Sequence, residues 1–571
     1  MQILKLPIKL SYLLILCNVV SLGLAQQLCE QALAPYTVQG HERRSAYVGQ
    51  EVITKGIITG LFLAKDALEG LFIQDPLGDA DPFSSDALFI SLKISPPDLR
   101  LGQEIAVMGK VLERNELTQI AAKEIILCEE TPRKILARPL LLNSLVSISD
   151  YEALEGMLIT FPERLYVSEV YNLGRYGEVL LSAMGRLYHP NNGQADPQNP
   201  LPRLLLNDGS LLENPPSIPY LFEAGAERAM GKTLRLGTSL RGLTGVLMNY
   251  GLGAYRLEPT QPPRFSFDNP RSPAPDKLGG DISVASFNVL NYFTTLDLRG
   301  ANSPAEFARQ ETKLLTTLLA LDADIIGLIE IENNDEALTR LIAQLNEKLG
   351  PDTYAAIPDL IGGMGDQIKV AIIYKQQRLK ALYWLSDPHS IHDRPPLAAS
   401  FKTLEGATFN VIVSHFKSKG SCPSTGDTDR GQGCWTQRRS AQAQALLDFA
   451  KSIQDQSQDE DVLLLGDFNS YRLEDPIKII EKAGYVNLDE SLAEAERYSY
   501  VFMGELGTLD YAFANPSLKA QVTGFQIWHT NSDEPRLLDY NLEYNPPLLF
   551  RPHPYRASDH DPLKIGLRLA P

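Results

Sequence analysis

Cysteine and tryptophan are scarce in this sequence, and basic side chains are fewer than acidic ones. Its 571 residues include 5 cysteines and 3 tryptophans, and 70 acidic side chains against 53 basic ones give a formal net charge of −17. Such an acidic chain is not a globally basic coat for nucleic acid. It can still handle phosphate at one local site, where bound cations supply the positive charge. Hydrophobic residues make up 44% of the chain, so there is material for several globular domains.

Long apolar runs are also missing after the N-terminus, so no later segment is predicted to cross a bilayer. Lys5 and Lys9 flank the start of an apolar stretch, Leu10–Leu24, and the small residues Gly23 and Ala25 suit a cleavage site before Gln26. We therefore predict a signal peptide over 1–25 and bacterial export to the periplasm or the extracellular space. The alternative is an N-terminal membrane anchor, for which the apolar run is short.

Four cysteines remain after that segment: Cys29, Cys128, Cys422 and Cys434. An even number in an exported chain predicts disulfides. Four cysteines allow three pairings, and the sequence does not choose among them. We expect Cys29–Cys128 and Cys422–Cys434, because each pair joins parts of one local unit. Free buried thiols are the first alternative, and a zinc site is weaker because close ligand spacing is missing.

Two β-rich regions precede a mixed α/β region. Residues 26–132 contain short strand patterns separated by turn signals, which predicts a small β-barrel of the oligonucleotide/oligosaccharide-binding (OB) type, with a plain β-sandwich as the alternative. A second β-rich module is predicted over 133–262, because Leu236–Leu247 resembles Leu101–Leu112 in spacing; this suggests a related barrel with an insertion at Asn191–Pro216. A stiff Pro-rich linker, 263–280, leads to a mixed α/β catalytic domain over 281–571.

Polar side chains follow directly on apolar strands of 281–571, where active sites are usually built. Glu330, Asp467 and Asp559 offer the oxygen ligands that hard divalent cations prefer. His415 and His560 have unperturbed pKa values near neutrality and can handle protons. Each residue alone is as often a helix cap, a turn former or a structural histidine. The ordered set is much more specific than its parts.

The ordered set resembles the endonuclease/exonuclease/phosphatase superfamily, which includes pancreatic-type deoxyribonuclease and apurinic endonucleases. The matching pieces span nearly the whole domain: Ser286-Phe287-Asn288, Ile329-Glu330-Ile331, Ser414-His415, Gly466-Asp467-Phe468-Asn469, Leu509-Asp510-Tyr511 and Ser558-Asp559-His560. The resemblance implies an α/β four-layer sandwich, with two packed sheets flanked by helices. The whole chain is similar to bacterial extracellular nucleases with an N-terminal OB-like domain, through Gly70–Pro76 and the Cys29–Cys128 bracket.

The resemblance also implies a metal site. Glu330 is expected as the principal ligand, Asp559 as a second ligand or phosphate-site carboxylate, and Asn288 as a contact to metal or phosphate. Mg²⁺ is the expected cation, with Ca²⁺ and Mn²⁺ as alternatives. The chain departs from the family at Ile329, where glutamine is frequent, and at Leu290, where some relatives carry aspartate. These departures put a second mode of metal binding in doubt. They do not change any of the candidate ligands or catalytic residues.

Catalytic roles follow from the same resemblance. Asp467 and Asn469 are expected to position or deprotonate the attacking water and to bind the scissile phosphate. His560 is expected near the phosphate, with Asp510 orienting it. Which of Asp467 and His560 is the base stays open. His415 is expected as a general acid or as a phosphate clamp.

Two substrate-binding candidates lie close to these strand ends. Arg394 resembles a family arginine that contacts substrate phosphate, with a surface ion pair as the alternative. Lys417 and Lys419, beside His415, are candidates for a basic lip that holds the nucleic-acid backbone. A solvated strand end explains the two lysines equally well.

The leading hypothesis is a secreted, divalent-metal-dependent nuclease that hydrolyses phosphodiester bonds of DNA, with RNA as a further substrate, by attack of an activated water. The OB-like region would hold single strands through stacking. One alternative is a phosphatase or sphingomyelinase-like phosphodiesterase of the same superfamily, because fold does not fix the substrate. Another is a non-catalytic binding protein, against which the complete catalytic set argues. No protein partner is implied.

Overall fold

A computed structural model describes residues 26–570 apart from 95, 97, 196–201, 224–231, 252–253, 360 and 544–548. The predicted signal peptide lies outside the described residues. Over the described ranges, none of the helices combines the length and apolar character needed to cross a membrane.

The first barrel is a closed ring of five strands. Inward apolar side chains such as Leu71 and Ile73 alternate with outward ones, because successive side chains in a strand point to opposite faces. The strands are β1 (Glu51–Phe62), β2 (Gly70–Gln74), β3 (Ala87–Leu92), β4 (Glu104–Arg114) and β5 (Leu117–Glu129), in the order β1-β2-β3-β5-β4. β4 closes on β1, and β3 and β5 form a parallel pair. Helix α1 (Pro35–Gln39) precedes the barrel, and the Cys29–Cys128 disulfide ties the preceding segment to β5.

The second β-rich module has the same strand order. Its ring consists of β7 (Leu158–Glu169), β8 (Val179–Ala183), β9 (Arg203–Leu206), β11 (Tyr255–Pro259) and β10 (Ser239–Asn249), and β10 pairs back with β7. The parallel pair, β9 with β11, stands where β3 and β5 stand in the first ring. Strand β6 (Arg138–Pro139) adds to β7, and the short helices α2 (Ile148–Glu152) and α3 (Leu173–Tyr176) lie before and after β7.

The repeated spacing seen in the sequence falls on equivalent strands of the two barrels. Gly102 and Gly237 precede β4 and β10 with φ of 88° and 82°, a left-handed conformation that suits glycine. Each glycine N–H donates to the first strand of its own barrel, to the carbonyl of Ile58 in one and of Val167 in the other, at 2.9 and 2.8 Å. The equivalent contacts indicate two repeats of one barrel topology.

One outward face of the first barrel is covered by the second barrel. Phe62, Phe72 and Phe89 form an aromatic cluster there, with ring centroids of Phe72 at 4.9 Å from Phe89 and 5.9 Å from Phe62. Val246 and Leu158 of the second barrel pack against this cluster, and Phe72 has no exposed surface. Burial of these large rings against another domain is strongly favourable. The base-stacking surface expected on the first barrel is therefore not available on this face.

The catalytic domain consists of two six-stranded sheets packed face to face. The first sheet has the order β14 (Tyr354–Ala356), β15 (Ile368–Lys375), β13 (Ile325–Glu332), β12 (Ile282–Tyr292), β25 (Leu563–Leu567) and β24 (Val522–Ile527). The second has the order β16 (Leu379–Ser386), β17 (Leu397–Thr403), β18 (Thr408–His415), β19 (Val462–Asp467), β23 (Asp510–Ala514) and β20 (Val486–Asn487). Apolar side chains of both sheets, such as Ile372 and Val411, share one core.

Helices cover the outer faces of both sheets. α4 (Pro304–Leu321) and α5 (Glu336–Leu349) pack on the first sheet, and α6 (Thr436–Ser457) and α7 (Asp475–Lys482) on the second. α4 begins after Ser303, whose hydroxyl accepts the N–H of Glu306, and proline opens its first turn. A hairpin of β21 (Tyr500–Phe502) and β22 (Glu505–Gly507) and the short helix α8 (Pro516–Lys519) complete the domain. The Cys422–Cys434 disulfide closes the loop before α6.

The segment 263–280 is predicted as a stiff linker, yet its side chains are anchored. It contains no helix and no extended strand. Asp268 accepts the backbone N–H of Ser239 at 3.0 Å, and Arg271 Nε donates to Glu534 of the catalytic domain at 2.8 Å. The segment therefore joins the second barrel to the catalytic domain instead of spacing them apart.

Five charged side chains form what we call the interdomain ion network. Arg186 and Arg235 of the second module and Arg271 of the following segment converge on Asp533 and Glu534 of the catalytic domain. Arg235 Nε lies 2.7 Å from Glu534 Oε1, and the side chain of Glu534 is fully buried. Burial alone would raise the pKa of Asp533 and of Glu534, but the guanidinium groups hold both pKa values below their usual range. The charges are thus paired in a buried interface.

A segment between β8 and β9 makes a further contact with the catalytic domain. His189 stacks on Tyr471 with ring centroids 3.9 Å apart. Asn191 donates to the carbonyl of Gly431 at 2.7 Å, and Asn192 accepts the N–H of Thr508 at 2.8 Å. Asn191 and Asn192 stand at the start of the predicted insertion, part of which, 196–201, lies outside the described residues.

Candidate active site

Three adjacent strands of the second sheet bring a carboxylate–imidazole cluster together. His415 and Asp467 end the parallel strands β18 and β19 as direct register partners, and Asp510 lies opposite Asp467 at the start of β23. Asp467 Oδ2 is 3.6 Å from His415 Nε2 and 4.0 Å from His560 Nε2. All four side chains are buried. The strand register therefore assembles groups that are far apart in sequence.

His560 is held in one orientation by Asp510. Its Nδ1 lies 2.7 Å from Asp510 Oδ2, and the hydroxyl of Ser499 donates to the same oxygen at 2.7 Å. The ring of Tyr500 packs on the imidazole at 4.7 Å. Burial alone would lower the pKa of His560, but Asp510 and then Asp559 outweigh it and hold this pKa well above its usual value. The protonated form of His560 is therefore favoured in the folded protein, with Nε2 as a charged donor.

Asp467 is the centre of the cluster. Its Oδ1 accepts the backbone N–H of Asn469 at 2.9 Å, and its Oδ2 accepts the amide of Asn288 at 3.2 Å. Burial raises the pKa of Asp467 to about 7, in spite of the lowering effect of His560. A carboxylate with a pKa near ambient pH is suited to general-base work. Asn469 adopts φ of 47°, a left-handed conformation that asparagine tolerates, and donates to the carbonyl of Phe416 at 3.2 Å.

His415 has the opposite electrostatic environment to His560. Burial, followed by the charges of Arg394 and His560, lowers the pKa of His415 well below its usual value. Its Nδ1 is buried and has no hydrogen-bond partner within the described ranges, while Nε2 faces Asp467. A neutral and a protonated imidazole therefore flank one carboxylate. Titratable groups whose pKa values are driven apart in this way are typical of acid–base chemistry.

The first sheet contributes the acidic side of the site. Glu330 lies where the register of β12 and β13 shifts, with φ of 68°, an uncommon conformation for glutamate. Its carboxylate accepts the amide of Asn288 at 3.2 Å and the N–H of Asn291 at 3.0 Å. Burial, followed by the negative charge of Asp559, raises the pKa of Glu330. This carboxylate would gain from a cation placed near it.

The oxygen donors of Glu330 and Asp559, with Asn288 beside them, therefore fit a hard divalent cation. A second group, Asp467, Asp510 and His560, has ligand atoms within 4.8 Å of one another. In that group Nδ1 of His560 is already bonded to Asp510, and the imidazole is protonated. The second group is thus better suited to proton handling than to metal binding.

Arg394 is not a surface residue. It is 5% exposed, its Nη1 lies 3.1 Å from Asp366 Oδ2, and it also donates to the carbonyl of Phe416. The ion pair considered as an alternative is present, but its arginine is buried and not on the surface. The guanidinium is close enough to His415 to lower the pKa of that imidazole, which places positive charge at the edge of the cluster.

The two lysines predicted as a basic lip have different environments. Lys417 is half-buried, and its Nζ lies 5.4 Å from the centroid of the Trp435 ring. Lys419 pairs with the buried carboxylate of Glu474 and lies 4.2 Å over Tyr471. Lys419 is therefore part of the domain packing. Of the two lysines, Lys417 remains the candidate for holding the nucleic-acid backbone.

Sequence reasoning missed three residues that touch the cluster: Ser499, Tyr500 and Asn291. Ser499 and Tyr500 belong to an alternating aromatic pattern, Tyr498–Phe502, which predicts a strand but gives no sign of its place in the fold. Asn291 acts through its backbone N–H, for which any residue type would serve.

A cavity of about 1060 Å³ opens beside the cluster, between the catalytic domain and the second barrel. Asn291, Tyr500 and Asp559 line it on the catalytic side. The candidate metal ligand Asp559 therefore borders a space that lies between both domains.

Residues 285–560 match the model of the Endonuclease/Exonuclease/phosphatase family, whose members are hydrolases that act on phosphate esters. The resemblance carried by the six motifs is thereby confirmed for this region. No curated protein matches the chain significantly in sequence.

Similar solved structures cover about half of the chain. One is the human Nocturnin catalytic domain with bound sulfate, with 17% identity, 51% of this chain and 94% of that chain covered, and a TM-score of 0.35. Another is a humanized D. rerio TDP2, with 17% identity, coverages of 50% and 97%, and a TM-score of 0.34. A third is a mannosyl-6-phosphatase of Bacteroides thetaiotaomicron, with 16% identity, coverages of 50% and 99%, and a TM-score of 0.34.

Proposed function

We propose that this protein is an exported, divalent-metal-dependent nuclease that hydrolyses phosphodiester bonds of DNA, with RNA as a further substrate. The observation that carries the proposal is the placement of Asp467 between a neutral His415 and a protonated His560, beside the acidic pair Glu330 and Asp559. Hydrolysis of a phosphodiester needs an activated water, stabilisation of charge on the phosphate, and a proton for the leaving oxygen. These side chains supply all three.

The protonation states favour Asp467 as the base. His560 already carries its proton, whereas the carboxylate of Asp467 can accept one near neutral pH. The water oxygen forms a bond to phosphorus, its proton passes to Asp467, and the bond from phosphorus to the leaving oxygen breaks. His560 donates from Nε2 to the phosphoryl group and supplies the proton of the leaving oxygen. Asp510 keeps the imidazole oriented throughout.

A divalent cation held by Glu330, Asp559 and Asn288 would polarise the phosphate and stabilise its negative charge. Arg394 and Lys417 would add positive charge at the edge of the cluster, and His415 would clamp a phosphate oxygen as a neutral donor. Asn469 would keep Asp467 in place and contact the phosphate. Mg²⁺ is the cation we propose.

We assign both barrels to the OB type, over 26–132 and 133–262, ahead of a four-layer catalytic domain over 281–571. The strand order with one parallel pair supports this for both barrels. The two disulfides are compatible with export, because such bonds persist in oxidising compartments.

Substitution of the cluster tests the proposed function. Asp467→Ala, His560→Ala and His415→Ala should each reduce hydrolysis of plasmid DNA in Mg²⁺ by about 10²–10⁴-fold, with the thermal unfolding transition retained. Removal of divalent cations with EDTA should abolish the wild-type activity. Asp387→Asn is the matched control, because Asp387 forms a similar pair with His392, 2.9 Å apart, outside the cluster. This control should keep wild-type activity.

Parallel assays on RNA, a phosphomonoester and sphingomyelin compare the substrate classes. Full activity of the Asp467→Ala variant on DNA would show that the assignment of the cluster is wrong. Wild-type activity on the phosphomonoester or sphingomyelin, without activity on nucleic acid, would show that the substrate is wrong.

A further inference from the structure

We propose that the cavity between the second barrel and the catalytic domain binds unpaired nucleotides of the substrate next to the scissile phosphate. The inference rests on the proposed nuclease function and extends it to a specificity site. The cavity is continuous with the candidate metal ligands, since Asp559 is part of its wall. A nucleic-acid strand that leaves the cluster on this side must therefore pass between the two domains.

The second barrel contributes a defined face to this cavity. Leu180 and Leu205 line it from β8 and β9, Tyr171 from the loop between β7 and β8, and Tyr250 from the loop between β10 and β11. In OB barrels, oligonucleotides bind on the second and third strands and on the two loops that correspond to these. The part of the barrel suited to a single strand thus faces the cluster.

Exposed aromatic rings stand on both walls of the cavity. Tyr171 is 59% exposed, Tyr250 38% and Phe502, at the tip of the β21–β22 hairpin, 57%. Exposed aromatic side chains are the common platform for stacking of bases. Two of the rings are also held by guanidinium groups.

Guanidinium groups pack against two of these rings. Arg536 lies 5.4 Å over the ring of Tyr171 and donates to its hydroxyl at 2.8 Å. Arg256 lies 5.2 Å over Tyr250. A ring that is already oriented loses less conformational freedom when a base stacks on it.

The charges of the cavity suit a phosphate backbone. Arg299, Arg536 and Arg556 line it, and the side chain of Arg299 is 38% exposed. The acidic residues of its lining are Glu169, Glu178, Asp539 and Asp559. Glu169 accepts the N–H of Gly504 at 2.9 Å, Glu178 accepts the amide of Asn172 at 2.9 Å, and Asp539 accepts the N–H of Asn541 at 2.7 Å. Arg536 and Arg556 also bond to the protein, so the exposed Arg299 is the positive group that an incoming phosphate can reach.

Unpaired nucleotides fit this site better than a duplex. Bases in a duplex stack on one another, so their faces are not available to the rings on the cavity walls. The volume of about 1060 Å³ is near the upper end of sites that enclose a small ligand, which run to roughly 1,000 Å³. The cavity can therefore take a short single-stranded segment.

Oligonucleotide binding tests this proposal. The probe is a fluorescein-labelled oligothymidine of about ten nucleotides, a length within the site size of OB folds. It is bound to the full chain carrying Asp467→Ala, so that the probe is not consumed. Adding Tyr171→Ala and Tyr250→Ala should raise the Kd by about tenfold or more. Tyr171→Phe, which keeps the ring, should bind with close to the parent affinity.

Phe83→Ala is the matched control, because Phe83 is 73% exposed in the first barrel, away from the cavity. It should leave the Kd unchanged. An unchanged Kd in the double tyrosine variant, or equal affinity for the single strand and for a duplex of the same length, would overturn the proposal. Failure of the nuclease function is a separate result. In that case the wild-type chain hydrolyses no nucleic acid in any divalent cation, whatever the tyrosine variants bind.

Discussion

The two barrels have one topology and opposite surroundings. In the first, the outward face of β2 and β3 is closed, because Phe72 and Phe89 pack against the second barrel. In the second, the outward face of β8 and β9 is open to a cavity that Leu180 and Leu205 share with the catalytic domain. The same face therefore serves packing in one repeat and is left free beside the candidate active site in the other.

The means of attachment differ as well. The first barrel is held to the second mainly by an aromatic interface, with Glu155 of the second module accepting the amide of Gln39 at 2.7 Å. The second is held to the catalytic domain by the interdomain ion network, in which Glu534 is fully buried between arginines. Polar attachment fixes geometry because each pair has a required direction, whereas apolar attachment depends mainly on buried area. The second barrel thus has the attachment that keeps its cavity in a defined shape.

The largest effect is expected where the first barrel is covered. Phe72→Ala should reduce the free energy of unfolding by about 4 kcal/mol, because it removes a fully buried ring from the interface and leaves a cavity. Leu205→Ala is the counterpart on the second barrel and should cost about 1 kcal/mol, since its side chain is half-buried beside the open cavity. Urea unfolding of both variants measures the difference. Equal losses would mean that the two faces are covered to a similar extent.

A smaller effect is expected from the ion network. Glu534→Gln leaves Arg235 and Arg271 without their carboxylate in a buried position and should cost about 3 kcal/mol. It should also weaken DNA hydrolysis, because the second barrel would no longer be fixed against the site. Arg203→Ala is the control: its pair with Glu505 crosses the same two domains but is 37% exposed, and such pairs contribute about 0–1 kcal/mol. If both variants melt alike, the network does not hold the interface.

Much of this architecture could be predicted from periodicity. Local signals mark the bounds of some elements: Pro304 opens helix α4, and the turn after Gln74 ends strand β2. The catalytic cluster could also be found, since His415 and Asp467 end apolar strands, Asp510 starts one, and the strand register brings these three together. These features depend on local pattern and on strand order.

The covered face and the cavity could not be predicted. Phe72 alternates in β2 as an outward residue, and an outward aromatic is equally suited to stack on a base or on another domain. The pairing of Lys419 could not be predicted either, because its partner Glu474 is distant in sequence. Tyr171 and Tyr250 lie in loops whose positions depend on how whole domains pack. Packing between domains leaves little trace in a local pattern.

The smallest effect that separates the two attachments is a dependence on pH. His529 lies beside the network, since its carbonyl accepts Arg235 Nη2 at 2.9 Å. Its Nδ1 is 3.0 Å from Asp561 and its Nε2 is 3.2 Å from Glu496. Burial alone would lower the pKa of His529, but these carboxylates raise it to about 9. The protonated imidazole is therefore favoured in the folded protein.

The stabilisation that the imidazole of His529 contributes is fully present below its pKa in the unfolded chain, about 6.5. It is lost as the pH rises through its pKa in the folded protein, about 9. We expect the unfolding free energy of the second barrel and catalytic domain to fall by on the order of 2 kcal/mol between these limits. The rings of Phe62, Phe72 and Phe89 do not titrate, so their own contribution to the free energy of unfolding should stay constant. Urea unfolding across this pH range, followed with His529→Gln as the control, measures the effect. The unfolding free energy of the wild type could be as independent of pH as that of His529→Gln. In that case the charge of the imidazole does not stabilise the attachment of the second barrel.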